Sequence, residues 1–187
     1  MRTPLLRKRL PLAIALGALA ATVFGAAATL GSGSGPGYVG VTAFSATAQN
    51  GNLAKLSATV NGTIPRDPDS FIGAHAVVGL AWADLDTGKV FVTTIHPVLG
   101  RDSHQNPDAW HAHTASLGGG ATSPNDFCIL SIDSTPTAGI VIRGNTMQVN
   151  VALADLPFAP SALDGAVGFT IEPDAGCGSG LAVRVVG

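Results

Sequence analysis

Residues 75–98 read HAVVGLAWADLDTGKVFVTTIHPV, and this stretch decides the fold. Its two halves are rich in Val, Ile, Thr, Phe and Trp and alternate with a period of two, the mark of strands buried on one face. Between them, Asp86-Thr87-Gly88 suits a type I turn whose glycine takes the left-handed bulge position. The stretch therefore predicts a hairpin of 75–85 and 89–98, with Leu85 opposite Lys89 and His96 opposite Val78. That register puts His96 on the face of Val78, Leu80 and Trp82, and His75 on the other.

Working outward, the same pattern recurs. Strands are predicted at 38–48 and 53–62, joined at Gln49-Asn50-Gly51-Asn52, where Asn-Gly favours a tight turn. Further strands follow at 110–117 and 127–133, then at 137–143 and 146–153 around Gly144-Asn145. The last two, 166–171 and 181–186, flank the glycine-rich loop 176–180. No segment carries a helical stripe, and only 161–164 suggests a helical turn. About ten short strands separated by Gly, Pro, Asn and Asp predict an all-β chain. The expected form is a single antiparallel β-sandwich, Ig-like or jelly-roll-like.

The chain has 187 residues, 46% hydrophobic and 12% charged, which suits one domain. Arg2, Arg7, Lys8 and Arg9 precede an uncharged run from Leu10 to Leu30 that ends near Gly25-Ala26-Ala27-Ala28. This reads as a signal peptide over 1–28, the alternative being an uncleaved membrane anchor. A Gly/Ser linker over 29–37 then leads to a domain spanning 38–187. Removing the leader takes four of the 10 Lys and Arg and none of the 12 acids, leaving a net charge near −6. A surface of that sign gives no footing for nucleic acid, and a membrane contact would come only through an uncleaved leader. The expected location is secreted or extracytoplasmic, at the cell surface if the leader stays. Export in turn predicts that Cys128 and Cys177 pair as a disulfide.

Histidines carry the distinctive chemistry. His111 and His113 stand at i and i+2 on a predicted strand, so both rings leave one face and can share an ion. His96, at the end of the preceding strand, and His104, in the polar loop before Trp110, are the candidate further ligands. Asp102 and Asp108 are candidate oxygen ligands or hydrogen-bond partners, and Trp110 is the expected pocket neighbour. The ion expected is copper or zinc. Copper–zinc superoxide dismutases and cupins also carry His-x-His on strands. Here Thr114-Ala115-Ser116-Leu117 follows, with neither a nearby glutamate nor a later histidine-bearing glycine loop, so nothing is carried over from them.

Other motifs fail on context. Gly35-Pro36-Gly37-Tyr38-Val39-Gly40 fits a dinucleotide fingerprint but opens a strand, and no nucleophile elbow is present. The expectation is therefore an exported binding or structural module without evident catalytic machinery. Its alternatives are an extracytoplasmic copper- or zinc-binding protein and a secreted enzyme using the histidine cluster. The partner is unspecified by sequence; low charge and β-rich strands allow self-assembly through strand edges.

Overall fold

The computed structural model describes residues 38–66, 77–96 and 109–186, together with the backbone of 23–26. Among the described residues eleven strands run β1 (Val23–Ala26), β2 (Val41–Gln49), β3 (Leu53–Val60), β4 (Val77–Asp84), β5 (Lys89–Ile95), β6 (His111–Gly118), β7 (Asp126–Ser134), β8 (Ala138–Arg143), β9 (Thr146–Ala152), β10 (Gly165–Pro173) and β11 (Leu181–Val186). Helix among the described residues is confined to single 3₁₀ turns at Leu153–Asp155 and Pro160–Ala162. No described helix is long and apolar enough to cross a membrane. Ten of the strands lie where the period of two places them. The eleventh, β1, falls within the stretch read as a leader and pairs antiparallel with β2. The rest of 1–28, and the linker 29–37, lie outside the described residues.

The turns follow their local chemistry. Asn50 and Gly51 both take positive φ, 46° and 74°, the left-handed pair that an Asn-Gly turn supplies between β2 and β3. At the β8–β9 turn Arg143 pairs with Thr146, and Gly144 supplies the positive φ at the first turn position.

The expected two-sheet sandwich is corrected by the pairing of β10. Five strands form an open sheet in the order β1-β2-β3-β9-β8. The other six close into a barrel, β10-β11-β7-β6-β5-β4, because β10 pairs with β11 on one side and with β4 on the other. Closure leaves these six strands without an edge, and their alternation then separates an inside from an outside rather than two faces of a flat sheet.

Two cores result. Leu80, Trp82, Phe91, Ile95 and Ala112 point outward from the barrel and pack against Phe44, Leu56, Met147 and Val149 of the open sheet. The Trp82 ring N–H reaches across this interface to donate to the Ser57 carbonyl at 3.1 Å. The inward residues Ala81, Val90, Val92, Ala115, Ile129, Phe169 and Val183 form the second core. Gly79 makes room for it, since a Cβ there would stand 2.5 Å from the Phe169 ring.

The register of the β4–β5 hairpin differs by one residue from that expected. Asp84 pairs with Lys89, and Val78 with Ile95. Leu85 leaves the ladder because its N–H donates to the Asp164 carboxylate at 2.7 Å, while the Asp84 carboxylate accepts from the Thr87 N–H. The loop is thus four residues long, with Gly88 at φ 66°. Slipping by one residue turns every side chain of the strand over, so His96 lies on the inner face with Ala81, away from Leu80 and Trp82.

Cys128 on β7 and Cys177, in the loop between β10 and β11, form a disulfide. Asp174 ties that same loop to Thr122: its carboxylate accepts from the Thr122 hydroxyl and N–H and from the Gly176 N–H.

Candidate metal centre

Three histidines meet at one end of the barrel interior. β6 sends His111 and His113 inward two residues apart, and β5 ends at Ile95 with His96 continuing its inner face. Strand pairing does the rest: Thr94 stands opposite His111, and Val92 opposite His113. Thr94 and His96, at i and i+2, therefore flank the His111 ring. All three histidines are buried, at 5–6% exposure. One ring nitrogen from each lies within 4.8 Å of the others.

The closest approach is between His96 Nε2 and His111 Nε2, at 3.0 Å. A tetrahedral zinc site, with Zn–N near 2.0–2.1 Å, places its nitrogens roughly 3.3 Å apart. One pair already stands within that spacing, and the widest separation, at most 4.8 Å, must close by up to about 1.5 Å to meet it. The rings are mutually edge-on, with centroids 4.7 Å apart for His96–His111 and 4.9 Å for His111–His113.

Backbone and hydroxyl groups hold these rings in place. His111 Nδ1 lies 2.9 Å from the Ala109 carbonyl. A carbonyl only accepts, so Nδ1 carries the proton, and the ring in its neutral form presents the Nε2 lone pair to the centre of the cluster. Thr94 Oγ1 lies 3.3 Å from the same Nε2, and Thr135 Oγ1 lies 3.2 Å from His113 Nδ1. Outer contacts of this kind orient metal-binding imidazoles.

Of the residues singled out by sequence, His96, His111 and His113 are brought together. His104, Asp102 and Asp108 lie outside the described residues. Trp110 is buried, but its side chain belongs to the core between barrel and open sheet, and its ring N–H donates to the Pro65 carbonyl at 2.8 Å. Sequence reasoning missed Thr94 and Thr135. Thr94 was recoverable, because it stands two residues before His96 and so shares its face; Thr135 was not, because its place depends on how β7 pairs with β6.

Adjoining the histidines is a hollow of about 210 Å³ inside the barrel. A second, of about 280 Å³, lies toward the Leu85 end of the barrel and shares Ala81, Val90, Leu117 and Val183 with the first. Comparison with known proteins finds no matching family model, curated protein or solved structure.

Proposed function

We propose that this chain is an exported binding module that holds a transition-metal ion, copper or zinc, through His96, His111 and His113. The observation that carries this reading is the convergence of three buried ring nitrogens within 4.8 Å, supplied by two neighbouring strands. His96 Nε2 and His111 Nε2, 3.0 Å apart, stand at the distance at which one ring N–H donates to the other ring's lone pair, and an ion taking that proton's place would receive both lone pairs. Imidazole-only donation suits zinc and copper rather than calcium or magnesium, which favour oxygen.

Export is supported by the disulfide, which persists in an oxidising compartment. The signal peptide over 1–28 belongs to this proposal, as does a mature domain beginning near residue 38. No catalytic step is assigned to the site.

The test is elemental analysis of the protein purified from its exporting host. About one equivalent of zinc or copper is expected. The double variant His111→Ala/His113→Ala should carry none; metal retained by that variant overturns the site.

A further inference from the structure

We propose that the hollow inside the barrel binds a small aliphatic carboxylate, its head on the ion held by the histidines and its chain among the inward side chains. The inference rests on the metal-binding reading above, and its test separates the two.

The lining carries the first part of the case. Among the described residues fifteen line the hollow, and twelve of them are aliphatic or aromatic, among them Val92, Ala115, Ile129, Phe169 and Val183. The polar remainder is Thr94, His96 and His113. Thr94 flanks the His111 ring and the other two are the proposed ligands, so the polarity of the described lining is collected at one end. A molecule suited to this space is polar at one end and hydrocarbon along the rest. A sugar, peptide or nucleotide would leave its polar atoms without partners along the barrel wall.

Charge decides the head group. Three neutral imidazoles leave the full charge of a divalent ion uncompensated, and among the described residues no carboxylate joins the cluster. In surroundings this apolar, an anionic oxygen donor gains the most from that charge. A tetrahedral ion with three histidine ligands also accepts a further one.

Size sets the chain. At roughly 30 Å³ for a water-sized group, 210 Å³ takes about seven such groups, the length of a medium aliphatic chain. Two of the lining residues, Ile132 and Leu181, are large aliphatics left 55% and 41% exposed. Both are placed to meet an apolar molecule on entry.

The experiment uses the full chain loaded with cobalt(II), whose visible spectrum reports changes at the ion, titrated with acetate, butyrate, hexanoate and octanoate. All four should perturb the spectrum, with affinity rising about threefold to fourfold per added methylene. Metal-free protein should bind octanoate at least about tenfold more weakly, and neutral 1-octanol should also bind more weakly than octanoate. The variant Ala115→Leu should keep its cobalt and its response to acetate but lose the gain with chain length. If cobalt is held and octanoate binds no more tightly than acetate, the proposal falls and the metal reading stands. Equal octanoate binding with and without cobalt, or equal binding of 1-octanol, likewise removes the head-group assignment alone. If the chain takes up no cobalt, the metal reading itself fails. Should Ala115→Leu not fold, the chain-length series on the unsubstituted protein decides.

Discussion

His111 turns its Nε2 to 3.0 Å from His96 Nε2 while its Nδ1 is committed to the Ala109 carbonyl. One ring thus fixes the tautomer that makes the pair usable, and β6 needs no polar side chain to do it. The same orienting task falls to Thr135 for His113, at 3.2 Å.

These two kinds of support predict different outcomes. Replacing His96 or His111 by Ala removes a ligand and should abolish stoichiometric zinc binding. Thr135→Val keeps all three ligands and loses only the contact to His113 Nδ1, so zinc affinity should fall by about 10- to 100-fold. Competition with a chromophoric chelator distinguishes the two. Unchanged zinc affinity in Thr135→Val would show that the His113 ring is held by other means.

Barrel and open sheet meet where β10 has no side chain. A Cβ on Gly168 would lie 2.0 Å from the Val39 carbonyl oxygen and 2.4 Å from its Cβ, so the chain entering β2 crosses β10 there. Gly168→Ala must push backbone aside and should cost about 1–3 kcal/mol or more. Gly139→Ala, on edge strand β8, meets nothing closer than 3.9 Å and should change stability by less than about 0.5 kcal/mol. Urea midpoints of the two variants measure the difference.

What the sequence disclosed follows the range of each interaction. The ten strands and the turns at Asn50-Gly51 and Gly144-Asn145 depend on neighbours within a few residues, and they lie where the pattern puts them. His111 and His113 share a face because their strand has a period of two. The barrel depends on Ala166 meeting Trp82 across more than eighty residues, and nothing in either strand marks its partner. His96 shows how little separates the two cases. Its strand was legible, yet its face was not, because Asp164 draws the Leu85 N–H out of the ladder from a distant turn.

The Cys128–Cys177 disulfide spans 49 residues of sequence, including β8, β9 and β10. By the chain-entropy relation a loop of that length is worth about 4 kcal/mol. The double variant Cys128→Ser/Cys177→Ser should therefore lose stability of that order in a denaturant titration under oxidising conditions. Adding reductant should not change it further. A loss under about 1 kcal/mol would mean that Asp174 and its contacts with Thr122 and Gly176 hold the β10–β11 loop without the bridge.

Acid stability is set in part by two carboxylates. Asp133 accepts from Ser131, Lys89 and Ser116, and these contacts, led by the Ser131 hydroxyl, hold its pKa down at about 2. The Thr122 hydroxyl, followed by the Gly176 N–H, lowers that of Asp174. Both groups are more acidic folded than unfolded, so below the ordinary carboxylate range near 4 the unfolded chain binds more protons. Their contribution is present in full above that range and is lost as pH falls through it, that of Asp133 down to about 2. Melting temperature should accordingly be flat from neutral pH to about 5 and then decline as the medium is acidified. In Ser131→Ala the Asp133 pKa should move back toward the usual carboxylate value, which carbon-13 carboxyl NMR reads directly, and the acid decline should become shallower. An Asp133 resonance titrating near 4 in the unsubstituted protein would show that Ser131 and Lys89 do not hold the carboxylate in solution.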